Sequence, residues 1–185
     1  AVLQKFNTAN QWNCKDFSEL KDKIDHTNKK ERKEANELIN SLKICDPAVG
    51  SGHFLVSALN ELIAIKDNLQ ILSYRNGDRV KGFRIEMAND ELIITSEETD
   101  DLFQYILNQN NKPIDELQQL QEALFHEKQH LIENCLFGVD INPKSVVICR
   151  LRLWIELLKN SYYTEESKYQ QLETLPNIDI NIKCG

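Results

Sequence analysis

The residues best suited to chemistry sit in two short stretches, Asp46-Pro47-Ala48-Val49-Gly50-Ser51-Gly52-His53 and Asp140-Ile141-Asn142. Gly50 and Gly52 lack Cβ, so the chain can take positive φ there and a ligand can lie against the backbone. Pro47 stiffens the turn at a fixed φ. Ser51 and His53 open a helix and place free backbone N–H groups where a ligand carboxylate is welcome, and Ser51 can cap that helix. The loop is not a nucleoside triphosphate cradle, because no Lys follows Gly52. Nor is it a dinucleotide loop, because Leu55 stands where a third glycine belongs. Asp46 would repel a pyrophosphate and attract an ammonium group.

Both stretches need strands and helices to position them. Leu42–Cys45 reads as a short buried strand, and a helix follows from Ser51 to about Leu69. Phe83–Ala88 and Glu91–Thr95 alternate around Asn89-Asp90, the pattern of a β-hairpin. A helix over about 114–133 leads to a second buried strand, Leu136–Asp140. Asn142 and Pro143 then start a helix that runs to about Asn160, with an apolar set dense enough to predict that it is mostly covered. A third strand is expected over 178–184. Strand, helix, strand, helix, strand predicts an α/β doubly wound fold with a parallel sheet and helices on both faces. The hairpin and the helix after it read as an insertion at about 73–134 inside a domain spanning 41–185. Residues 1–40 form a polar, weakly patterned N-terminal segment, helical from Asp16 to Leu42.

Composition narrows the function. The chain has 185 residues, 41% of them hydrophobic, and a net charge of −7. One domain with a proper core is expected, and such a surface does not by itself grip nucleic-acid phosphates. No apolar run approaches the ~18 residues of a membrane span. The cysteines Cys14, Cys45, Cys135, Cys149 and Cys184 form no C-x-x-C pair, which suggests buried reduced thiols in a cytoplasmic protein. The chain begins without Met and ends as a strand emerges, so it reads as a fragment of a larger protein. His126 and His130 are four apart on a helix but lack a third ligand, so no metal site is expected. Arg150 and Arg152 could face DNA, although Arg152 and Glu156 are spaced for a helical salt bridge.

In parallel sheets ligands bind outside the carboxyl ends of the strands, where Asp46 and Asp140 both lie. An acid after the second strand can hold a ribose diol, and Ile141 beside it can pack on a flat adenine. Ammonium, ribose and adenine together describe S-adenosyl-L-methionine. Asp46 and Asp140 each also suit a turn or a helix cap. Their pairing at adjacent strand ends favours the ligand.

The stretch DPAVGSGHFL resembles motif I, D-P-A-x-G-S-G-x-F, of N6-adenine DNA methyltransferases. FGVDINPKSVVICRLRLWIELL resembles motif II and its helix in the fused restriction–modification polypeptides of the type IIG kind. The resemblance covers roughly Ser41 to Gly185 and implies a partial Rossmann-like class I S-adenosylmethionine-dependent methyltransferase fold. It implies that Asp46, Pro47, Ala48, Gly50, Ser51, Gly52 and His53 surround the methionine part of the cofactor, with Asp140 on the ribose and Ile141 beside the adenine. Phe54 matches an aromatic that packs the loop. The implied function is the cofactor-binding part of a DNA (adenine-N6) methyltransferase of a restriction–modification system, acting on double-stranded DNA through other parts of the full-length protein. The family's catalytic Asn/Asp-Pro-Pro-Tyr/Phe tetrapeptide occurs nowhere in this chain, so no catalytic residue is assigned. A methyltransferase of the same fold acting on RNA or protein, or a non-catalytic nucleotide-binding module, remains an alternative.

Overall fold

The computed structural model describes residues 1–110, 112–173 and 180–185. The described elements, in chain order, are α1 (Val2–Asn10), α2 (Phe17–Lys23), α3 (Lys29–Asn40), β1 (Ile44–Asp46), α4 (His53–Asn68), β2 (Phe83–Ala88), β3 (Glu91–Ser96), α5 (Asp115–Asn134), β4 (Leu136–Asp140), α6 (Pro143–Leu158) and β5 (Ile182–Cys184). β1, β4 and β5 form one parallel sheet in the order β1-β4-β5. Ile44 stands opposite Leu136, and Gly138 opposite Ile182.

The helices α4, α5 and α6 touch one another, so they lie on one side of this sheet. Their inward residues, including Leu55, Leu59 and Ile63 of α4, Leu124 and Leu131 of α5, and Cys149, Leu153 and Leu157 of α6, are fully buried. Among the described residues, the other side is open. Cys45, Val139 and Lys183 are exposed there and Phe137 is only half-buried, as the register and the alternation of side chains along a strand require. The expectation of helices on both faces is therefore corrected: among the described residues they cover one.

α6 departs from expectation for the same reason. Val146, Cys149, Leu153 and Leu157 are buried, but Val147, Ile148, Leu151, Ile155 and Leu158 are exposed. Its apolar residues run around more of the helix than one sheet face can cover. Ile178 and Asp179 of the expected third strand lie outside the described residues, and the strand itself is Ile182–Cys184. Arg150 of α6 secures it, donating from Nε and Nη2 to the Ile182 carbonyl at 3.2 and 2.6 Å. The expected Arg152–Glu156 pair does not form. Glu156 instead meets Lys128 at 3.4 Å and Lys159 at 2.7 Å.

The N-terminal segment is more structured than its sequence suggests. The helix expected over Asp16–Leu42 is broken into α2 and α3, because Asp25 accepts from the Thr27 N–H in a turn and Asn28 caps α3 through the Lys30 N–H. α1 forms in the weakly patterned stretch by burying Val2 and Phe6, which join the same core as Leu20, Ile39 and Leu59. The hairpin forms a separate antiparallel sheet, as read from its sequence. Asn89 (φ 52°) and Asp90 (φ 66°) form its tip, the two left-handed residues that a type I′ turn needs. The thiol expectation holds for Cys14, Cys135 and Cys149, whereas Cys45 and Cys184 are exposed.

Candidate functional site

β1 and β4 are adjacent and parallel, so Asp46 and Asp140 emerge at the same end of the sheet. Asp46 Oδ1 accepts from the Ala48 N–H at 3.0 Å, which turns the chain back immediately after the strand. The Val49 N–H then donates to the Val139 carbonyl at 2.9 Å. Val49 is buried over Gly138, where an added Cβ would come within 2.9 Å of Val49 Cγ2. The decisive contact follows. The Gly50 N–H donates to Asp140 Oδ2 at 2.8 Å, across 90 residues of sequence. Asp140 Oδ1 accepts from the Asn142 N–H, also at 2.8 Å. One carboxylate thus ties the two loops together and holds the start of α6. It retains acceptor capacity, since two ionised oxygens offer about four lone-pair sites.

The two loop glycines do different work. Gly52 has φ 80°, and a Cβ there would lie 2.6 Å from Cys149 Sγ and 3.1 Å from Cys149 Cα, so α6 itself demands the glycine. Gly50 has φ 51°, and its Cβ would meet only the Ala48 carbonyl, at 3.9 Å. The space beside Gly50 is free for a ligand. Burial pushes the Cys149 thiol up to about 11, with the Asp46 carboxylate adding to the shift, so it stays protonated and is not a nucleophile at neutral pH.

Not every residue sits as its motif suggests. Gly52, not Ser51, is the N-cap of α4, and Ser51 is an exposed turn residue. The Gly52 carbonyl accepts from the Val56 N–H at 3.0 Å. The N–H groups of His53, Phe54 and Leu55 precede that first helical bond and are the orphan donors of the helix start. The His53 side chain turns away from the loop and lies 3.0 Å from Asp90 Oδ2 of the hairpin. Phe54 is 55% exposed instead of packing the loop. Pro47 and Ala48 are exposed on the rim. Ile141 is 88% exposed beside Asp140, a large apolar side chain with nothing over it among the described residues. The fold therefore brings together Asp46, Ala48, Gly50, the His53 N–H, Asp140 and Ile141, and it directs only the His53 imidazole to the hairpin. Sequence reasoning missed the roles of Gly138 and Cys149, although a glycine inside a strand is itself a sign of close approach. A cavity of about 730 Å³ lined by His26, Arg32, Tyr74 and Lys81 lies away from this site, beyond the C-terminal end of α4.

Residues 21–185 match the family described as MmeI, DNA-methyltransferase domain. The chain belongs to that family. A Methanocaldococcus jannaschii protein named as a type II restriction enzyme and methyltransferase is 32% identical to it over 147 residues. That match takes in 80% of this chain and 8% of the relative's own length. No solved structure matches. The matched region contains both strand-end loops and the hairpin between them. The resemblance read from the two motifs is borne out at the level of a restriction–modification DNA methyltransferase region.

Proposed function

We propose that this chain is the S-adenosylmethionine-binding part of a DNA (adenine-N6) methyltransferase of a restriction–modification system. The observation that carries the proposal is the 2.8 Å bond from the Gly50 N–H to Asp140, which makes one site of two loops. The residues fit the cofactor. Gly50 leaves open space at its α-carbon, the helix-start N–H groups suit the methionine carboxylate, and Asp46 Oδ2 has no hydrogen-bond partner among the described residues and suits the ammonium. Asp140 has acceptor capacity left for the ribose hydroxyls, and exposed Ile141 offers an apolar surface to the adenine.

When bound, S-adenosylmethionine supplies a methyl group on a sulfonium sulfur, which the adenine N6 lone pair can take as the carbon–sulfur bond breaks and N6 loses a proton. This chain's residues bind and orient the donor, and apposition supplies much of the rate. Base holding and contact with double-stranded DNA are assigned to parts of the full-length protein outside this chain, since no Asn/Asp-Pro-Pro-Tyr/Phe occurs in it and its net charge is −7. In this reading the protein works in the cytoplasm.

Ile141 gives the cleanest test, because a side chain 88% exposed contributes almost nothing to folding. Ile141→Ala should leave the melting temperature unchanged. It should weaken binding of the product S-adenosylhomocysteine, measured by calorimetry, by about 1–1.5 kcal/mol, or roughly tenfold in Kd. Absence of binding by the unaltered chain would refute the proposal. Equal affinity in the variant would remove Ile141 from the site.

A further inference from the structure

The inserted hairpin grips α4 at both ends. Near the C-terminal end, Asp67 Oδ2 accepts from the Ile85 N–H of β2 at 2.9 Å. Near the N-terminal end, the turn residue Asp90 makes three contacts with α4. Its Oδ1 accepts from Ser57 Oγ at 2.6 Å, its Oδ2 lies 3.0 Å from His53 Nε2, and its carbonyl accepts from Asn60 Nδ2 at 2.8 Å. Residues 53, 57 and 60 are spaced i, i+4, i+7, so a single helix face presents all three partners to one hairpin residue. The next residue, Glu91, meets Lys159 just beyond α6 at 3.2 Å. The hairpin tip therefore bears on the helices that follow both strand-end loops.

Position makes these contacts matter. His53 is the first residue of α4 and follows Gly52 directly, and Gly50, one residue earlier still, carries the bond to Asp140. Among the described residues, the loop from Asp46 to Gly52 is otherwise held by the Asp46–Ala48 bond, by the N–H and buried side chain of Val49, and by the packing of Gly52 on Cys149. We infer that Asp90 is a positioning residue for this loop: by fixing His53 and Ser57 it sets where Gly50 and the N–H groups at the start of α4 point. The insertion thereby gains a role as a brace that runs along α4 and ends at the site. That the ligand so positioned is S-adenosylmethionine rests on the function proposed above. The brace itself does not.

Asp90 has φ 66°, so glycine can replace it without backbone strain, and asparagine keeps both the turn and an acceptor for Ser57. The test compares Asp90→Gly and Asp90→Asn with the unaltered chain by hydrogen exchange without ligand and by calorimetry with S-adenosylhomocysteine. Asp90→Gly should raise exchange of the Gly50–Phe54 amides about tenfold, leave the core of α5 and α6 unchanged, and raise Kd about tenfold. Asp90→Asn should recover a substantial part of both. A generally loosened fold would move all amides together and would not be rescued selectively. Unchanged exchange at Gly50–Phe54 in Asp90→Gly overturns the inference, and so does faster exchange with undiminished affinity. If the unaltered chain binds no S-adenosylhomocysteine, the cofactor assignment fails, while the exchange data still decide whether Asp90 positions the loop.

Discussion

In the strand-end loops the important bonds start from backbone N–H groups: Ala48 to Asp46, Val49 to Val139, Gly50 and Asn142 to Asp140. Where α5 meets α4 and α6, they run from lysine side chains that the fold has buried. Lys66 of α4 has no solvent exposure and meets Glu127 of α5 and Asn40 of α3. Lys128 of α5, 2% exposed, meets the carboxylate and the backbone carbonyl of Glu156 on α6. Burial pushes the Lys128 ammonium down to about 8, with Glu156 opposing the shift. A loop fastened through its backbone keeps its side-chain positions free for a ligand. A joint fastened by buried charges has no such freedom, because each ion is tolerable only while its partner is present. The difference separates loops whose side-chain positions stay open from a joint shaped for rigidity.

The comparison breaks most visibly at the buried joint. Glu127→Ala leaves Lys66 without its counter-charge in a dry site and should cost about 3–5 kcal/mol of stability in urea unfolding. Replacing the pair together, Lys66→Met with Glu127→Leu, should recover most of that loss, because the uncompensated charge is what destabilises. A loss below about 1 kcal/mol in Glu127→Ala would mean that water or Asn40 already satisfies the lysine.

The loop should break differently at its two glycines. Gly52→Ala meets both a left-handed φ and the Cys149 side chain, and should cost about 3 kcal/mol. Gly50→Ala meets only the φ penalty and should cost about 1–2 kcal/mol of stability. Its new methyl group projects into the space left for a ligand, so Gly50→Ala should lose more affinity for S-adenosylhomocysteine than its stability loss alone explains. Equal stability costs at the two positions would contradict the distinct roles that the close approach of α6 assigns them.

How much of this was legible in the sequence follows from the same contrast. Asp46, Gly50, Gly52 and the Asn142-Pro143 helix start lie within a few residues of the turns they make, so local chemistry revealed them. The hairpin was legible for the same reason, since alternation and a left-handed pair of residues act over short range. The Gly50–Asp140 bond, the contact of Gly52 with Cys149, and the grip of Asp90 on His53 were not legible, because each joins residues far apart in the chain. His53 divides between the two: its N–H stands at the helix start, as its place beside the loop suggested, whereas the hold of its side chain on the hairpin was not legible. The one-sided sheet was hidden too. Strands read as buried runs whichever face is covered, and only the tertiary packing shows Val139 exposed.

The smallest expected effect lies at the far end of the brace and depends on pH. Asp67 is largely buried where α4 meets β2. Burial raises its pKa to about 6 from the usual 3.8, although the Ile85 N–H bond pulls it back and Lys21 and Arg79 oppose the rise. The folded state therefore holds this proton more tightly than the unfolded chain does. As pH rises from about 4 to about 6, the group ionises more readily in the unfolded chain, so stability falls across that window and stays lower above it. A shift of this size corresponds to at most about 3 kcal/mol, and relaxation and water at the site reduce it to about 1–2 kcal/mol. Asp67→Asn abolishes the titration while keeping an oxygen for the Ile85 N–H. The variant should be more stable than the unaltered chain at pH 8 by about 1–2 kcal/mol, and the advantage should vanish below about pH 4. Unfolding followed by circular dichroism at both pH values checks this. An advantage independent of pH would show that ionisation of Asp67 is not what weakens the joint. A loss at pH 8 would show that its attraction to Lys21 and Arg79 outweighs its burial, making this end of the brace an ion-pair anchor.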